Sequence, residues 1–133
     1  EVKVIHANTK KEAVTLAKSV VTSSLTKAAI YGHDANWGRI LCALGYAGVA
    51  FDPEKVDLYF ESVNGSLKII EDGVATGYSE KEATQILTAD AVTAICDMKQ
   101  GAAEEQIPLV RRERDRHGGQ LLSKTVSFET VLL

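Results

Sequence analysis

The sequence predicts a mixed α/β (α+β) fold, a layered sandwich of mixed strands and helices, and three observations predict it. Thr9 with Glu12, and Ser79 with Glu82, are capping boxes, each set before apolar residues at helical spacing. Residues 56–61 alternate apolar with polar, the period-two signal of a half-buried strand. Asn64-Gly65 follows, a pair that tolerates the positive φ of a tight hairpin turn. Helices alternating with hairpin-linked strands define the class.

The elements follow in order. Val2-Lys3-Val4-Ile5 reads as a strand ending near Ala7. The first capping box then opens a helix over residues 10–22, with Ala13, Leu16, Ala17, Val20 and Val21 as its apolar stripe. The Thr22-Ser23-Ser24 cluster ends it. Residues 28–31 read as a strand or extended segment leading into a Gly-containing turn. Asp34 is the expected N-cap of the next helix, since its carboxylate can accept from free backbone N–H groups. Trp37, Ile40, Leu41 and Leu44 bury one face of that helix, and Gly45 stops it. A turn at Asp52-Pro53 precedes the strand at 56–61, and Leu67, Ile69 and Ile70 form the returning strand. The second capping box begins a helix carrying Ala83, Ile86 and Leu87, and residues 91–98 form a strand with Cys96 inside it.

Composition narrows the function classes. Hydrophobic residues make up 45% and charged residues 25%, enough for a real core. A net charge of −3 argues against nucleic-acid or anionic-membrane partners. No apolar run approaches the roughly 20 residues that span a bilayer. Cys42 and Cys96 lie in no metal or redox spacing and are expected as two buried thiols in a reducing compartment. His6, His33 and His117 are scattered, so no metal is expected. Ser19, Ser23, Ser24 and Thr26 cluster without a Gly-x-Ser-x-Gly elbow. His33 and Asp34 are neighbours whose side chains point apart in an extended segment, a poor triad pair. The chain begins at Glu1 inside a strand and is expected to be a fragment of a longer polypeptide.

The run Gly32-His33-Asp34-Ala35-Asn36-Trp37-Gly38-Arg39 resembles the Gly-x-Asp-x-Asn-Trp-Gly-Arg signature of the glutamate N-acetyltransferase/ornithine acetyltransferase family of arginine biosynthesis. The likeness includes Lys11-Glu12-Ala13 and Ser23-Ser24-Leu25-Thr26-Lys27-Ala28-Ala29, which looks like the family's "SPLVKTA"-like segment. Phe51-Asp52-Pro53-Glu54-Lys55-Val56-Asp57-Leu58 and Tyr78-Ser79-Glu80-Lys81-Glu82-Ala83 also follow the pattern. It runs from Glu1 to about Gln100. Residues 1–101 are therefore read as the C-terminal region of the family's β chain, and 102–133 as a divergent, partly disordered tail. A shifted reading frame, an alternative exon or a divergent terminus would each produce that tail. Its Arg111, Arg112, Arg114 and Arg116 alternate with Glu113 and Asp115, unlike a uniformly basic nucleic-acid arm.

The resemblance implies an autoprocessed acetyltransferase fold that moves acetyl from N-acetylornithine to glutamate, in many members also from acetyl-CoA. A Thr freed by self-cleavage carries the acetyl group, dividing one difficult transfer into two easier ones. Neither the Ala-Thr-Met-Leu-like cleavage run nor the Asp-Gly-Glu-Gly segment is in this sequence. No catalytic residue is carried over, and the isolated chain is expected to be inactive. The implied partners are the α chain and the N-terminal part of the β chain, in an oligomer, with no cofactor held by this region. The wording of residues 40–43 and 52–55 leans toward a fungal-type parent in the mitochondrial matrix, otherwise a cytoplasmic one.

Two readings of the signature run stay open. Asp34, Asn36 and Arg39 are candidate substrate-binding residues at the rim of the acyl pocket, with Arg39 holding a carboxylate bidentately. Alternatively Asp34 caps a helix, Trp37 anchors the core and Arg39 is a buried or bridging cation, with Asn36 left unexplained. Lys27 is a ligand or a solvated cation, and Tyr31 and Tyr46 pack with polar tips reaching water. For the whole chain the alternative is a non-catalytic paralogue, truncated or degenerate, acting as an interaction domain. A third option, a small hydrolase, would need a Ser or Cys that reactive probes label.

Overall fold

The computed structural model describes residues 1–108. Six strands form one mixed sheet: β1 (Val2–Ala7), β2 (Asp57–Ser62), β3 (Gly65–Glu71), β4 (Val74–Ala75), β5 (Thr93–Asp97) and β6 (Ala103–Ile107). Their spatial order is β4-β3-β2-β5-β1-β6. Only β1 and β5 run parallel; every other neighbouring pair is antiparallel. The helices are α1 (Lys10–Val21), α2 (Ser24–Tyr31), α3 (Trp37–Gly45) and α4 (Glu80–Leu87).

The register explains the core. Val4, Cys96, Leu58 and Ile70 stand opposite one another across four strands, and Val2, Ala94 and Phe60 form the next row. All seven are buried. Helix α1 packs on β1 and β6, and α4 on β2 and β3, so their buried residues join the two rows in one hydrophobic cluster. Burying a side chain such as Phe60 contributes about 1.5–3 kcal/mol each time. The intervening row, Lys3, Ile95, Tyr59 and Lys68, faces the other way and is half-buried, with the Lys68 ammonium 5.4 Å from the Tyr59 ring centroid.

Thr9 and Ser79 cap their helices as expected, their hydroxyls accepting from the Glu12 and Glu82 N–H groups, while the Glu12 carboxylate accepts from the Thr9 hydroxyl at 3.2 Å rather than from the Thr9 N–H. Two expectations fail at residues 24–36. The supposed extended segment at 28–31 is the second half of α2, whose N-cap is Ser23. Asp34 does not cap α3; the cap is Asn36, whose Oδ1 accepts from Arg39 N at 3.4 Å. Asp34 instead holds the turn through its backbone, donating to the Ala29 carbonyl at 2.8 Å and accepting from Asn36 N–H at 2.8 Å. Ile40 and Leu44 of α3 are buried, while Trp37 and Leu41 pack partly buried against the core.

The sheet also reaches past residue 101. Strand β6 pairs with β1, and the register shifts between Val4 and Ala7. His6 lies at this bulge with φ 56°, its carbonyl accepting from the Gln100 and Gly101 N–H groups. The His6 ring Nδ1 lies 2.7 Å from Asp97 Oδ1, tying the bulge to β5. A second polar knot lies beside it, since Asp57 stands opposite Asp97 in the register. The Asp57 carboxylate, 3% exposed as a residue, takes the Asp72 N–H at 2.9 Å and the ammonium groups of Lys99 at 2.9 Å and Lys68 at 3.4 Å. The arginine-rich stretch expected as a tail, with His117-Gly118-Gly119, lies outside the described residues.

Candidate functional site

An open groove of about 430 Å³ lies between α1, α2 and α3. Its floor is set where α1 meets α3: the Ser19 hydroxyl donates to the Ala43 carbonyl, and both residues line the groove. The start of α2 supplies Ser23, whose Oγ accepts from Thr26 N at 3.1 Å, and Leu25. Asn36, Gly38 and Arg39 come from the first turn of α3, and Cys42 and Tyr46 from its later turns. Arg39 spans the gap between the helices, donating from Nη1 to the Leu25 carbonyl at 3.0 Å.

The structure brings together two of the three candidate residues. Asn36 and Arg39 line the groove, whereas Asp34 does not. Both have structural work as well, Asn36 as a cap and Arg39 as a bridge, so the bridging-cation reading describes Arg39 correctly. The guanidinium retains unused capacity. It has five N–H donors, and none of the ion pairs among the described residues involves it.

Two expectations about side chains are corrected here. Cys42 is exposed and lines the groove, because it lies on the face of α3 turned away from Ile40 and Leu44. Cys96 alone is buried, and burial pushes its thiol up to about 12. Tyr46, expected to pack, is 88% exposed, while the Tyr31 oxygen is buried rather than at water. Leu25, 63% exposed, faces solvent on the α2 side of the groove. Sequence reasoning gave no sign that Leu25, Cys42 and Tyr46 share a site, since tertiary packing of α2 on α3 unites them.

Around the groove the electrostatics are quiet. Nearby, burial raises the Tyr78 hydroxyl above its usual range, with Glu80 adding to it, and Tyr78 Oη donates to the Ala35 carbonyl at 3.3 Å. Among the described residues there is no group of three or more His, Cys, Asp or Glu that could hold a metal ion. No helix among them is long and apolar enough to cross a membrane. The groove thus offers apolar walls and a guanidinium; the hydroxyls of Ser19 and Ser23 are engaged with backbone, and no His stands beside them.

A mixed six-stranded sheet layered by helices, with an open groove between α1, α2 and α3, defines the chain as a mixed α/β region. Comparison with known proteins makes that class specific. The ArgJ family matches residues 1–108, and the chain belongs to this family. It is 46% identical over 101 residues to the arginine biosynthesis bifunctional protein ArgJ of Thermotoga neapolitana, covering 76% of this chain and 25% of that protein. It is 38% identical over 108 residues to the glutamate N-acetyltransferase of Methanocaldococcus jannaschii, covering 78% of this chain and 27% of the other. The crystal structure of the arginine biosynthesis bifunctional protein from Bacillus halodurans superposes with a TM-score of 0.71 at 39% identity, over 77% of this chain and 47% of that one. The chain spans about a quarter of the length of the curated relatives it matches. The likeness therefore extends through β6, beyond the limit near Gln100 expected from motifs.

Proposed function

We propose that this chain is the C-terminal portion of the β chain of a glutamate/ornithine N-acetyltransferase. The intact protein would move acetyl from N-acetylornithine, or from acetyl-CoA, to glutamate through an acyl-Thr intermediate whose Thr lies outside this chain. The observation that carries the reading is the family match over residues 1–108, together with 38% identity to a relative named for glutamate acetylation. In this reading the two-layer body supports the acyl pocket and the contacts among the parts of the enzyme, and the 133-residue chain alone is inert.

The groove fits a supporting role better than a substrate pocket. Free glutamate carries two carboxylates and an ammonium, and desolvating those charges against Leu25, Ala43 and Tyr46 with one guanidinium would leave most of them unpaired. An interaction-domain reading is favoured by one observation, the exposed Leu25 and Tyr46 beside that groove.

Acetyl transfer from N-acetylornithine to glutamate tests the proposal, measured on this chain alone and on the chain joined to the matching remainder of a relative. Transfer only in the joined protein is the expected result. Silence in both would put the interaction-domain reading first, and transfer by the chain alone would overturn the argument that its catalytic residues lie elsewhere.

A further inference from the structure

We propose that the α1–α2–α3 groove is the docking site for a polypeptide segment of the remainder of the acetyltransferase, which seats an aliphatic side chain against Leu25, Ala43 and Tyr46 and places a carboxylate on Arg39. The inference rests on the functional reading above and names the surface that reading requires. Three observations carry it.

The first is charge. Arg39 spends one N–H on the Leu25 carbonyl and pairs with no carboxylate among the described residues. A half-buried guanidinium with free donors beside apolar walls is complementary to a single carboxylate, bound bidentately in a partly desolvated place. The second is the shape of the rim. A small carboxylate in the groove would leave Tyr46 and Leu25 wet, since these are 88% and 63% exposed. A polypeptide continues over both, and Tyr and Arg are residue types that dominate the energetics of protein interfaces. The third is supply. The relatives are about four times as long as the matched region, and the solved neighbour about twice, so family members carry the additional polypeptide such a surface needs.

Cys42 is a reporter already in place: it lines the groove and is exposed, while Cys96 is buried. The test is the rate of N-ethylmaleimide labelling of the Cys42 peptide, read by mass spectrometry. It compares the 133-residue chain with a chimera in which this chain replaces the matching quarter of the Thermotoga neapolitana relative. Labelling of Cys42 is expected to slow by about tenfold or more in the chimera. A Val63→Cys variant, on the exposed β2–β3 turn outside the groove, should label equally in both. Arg39→Glu in the chimera should restore most of the lost reactivity, and Arg39→Lys much less of it.

Equal labelling of Cys42 in the two proteins overturns the docking proposal; if that chimera transfers acetyl, the acetyltransferase reading survives the loss. Protection without acetyl transfer upholds docking and counts against the proposed function. Should the chimera fail to fold, the remainder of the relative is added to the chain as a separate polypeptide, and no protection at saturation refutes the docking site.

Discussion

Replacing Asp57 with Asn would test the polar knot at the base of β2. The Asp57 carboxylate joins three places distant in sequence: its own strand, the turn at Asp72 through that residue's N–H, and the Lys99 turn after β5. Burial opposes its ionisation, but the Asp72 N–H and the Lys99 and Lys68 ammonium groups outweigh that cost and hold the carboxyl below its ordinary 3.8. The amide of Asp57→Asn keeps one acceptor for Asp72 and turns a donor toward two cations. A hydrogen bond to a charged group contributes about 1.5–3 kcal/mol. Lys99 and Lys68 retain Asp72 and Glu71 at 2.8 Å and 2.9 Å, which limits the loss on their side. The expected cost is therefore about 2 kcal/mol at neutral pH, a fall of about 10 °C in Tm for a domain of this size. The sign with pH follows from linkage. The folded carboxyl binds its proton less readily than the unfolded one, so its stabilisation is complete above 3.8 and vanishes as pH falls through the lower folded value. Urea titrations at a series of pH values should show the wild-type advantage over Asp57→Asn shrinking below pH 3.8. An equal midpoint for the two proteins at neutral pH, or a gap that persists undiminished in acid, would refute the reasoning.

Further substitutions separate cap, packing and backbone effects. Asn36→Ala should cost about 0.5–1 kcal/mol, toward the low end because the cap bond is 3.4 Å long, while Asp34→Ala should cost under about 0.5 kcal/mol; urea midpoints would show which residue caps α3. Thr26 is 1% exposed and its Oγ1 makes no hydrogen bond, so Thr26→Val should raise stability by about 1 kcal/mol in thermal melts. Gly73 has φ +78°, and a Cβ there would stand 2.5 Å from the Pro53 oxygen. Gly73→Ala should lose about 2–3 kcal/mol by equilibrium unfolding.

Legibility in the sequence tracked how local each determinant is. The N-caps Thr9 and Ser79 and the α1 stripe rest on residues within one or a few turns and form where the pattern puts them, and the hairpin forms one residue earlier than expected, turning at Val63-Asn64 with Gly65 already paired to Ser62. The run at 28–31 is only four residues long, too short for periodicity to separate strand from helix; Ser23, taken as an end, begins α2. Asp34 and Asn36 are both good caps two residues apart, and the choice fell to the turn that Ala29 stabilises. Strand β6 carries Glu104, Glu105 and Gln106, which lack any strand preference and suit an edge. At the groove, Asn36 and Arg39 were singled out by the signature run, but Cys42 and Tyr46 came from tertiary packing that no local pattern encodes.

The place of β1 between β5 and β6 sets an order of events during folding. Strand β1 is the first segment of the chain, yet its partners lie about ninety residues later, at Ala94 and Ile107 for Val2. Hairpin β2–β3 and helix α4 close short loops and can assemble early, whereas β1 with α1 must await the far end of the region, a slow and costly closure. During synthesis the apolar strand Val2-Lys3-Val4-Ile5 would therefore lack its β5 partner until residue 97, and its β6 partner until residue 107, has left the ribosome. Any shortening before Ile107 would leave that strand with one bare side, a template for aggregation rather than a smaller version of the fold.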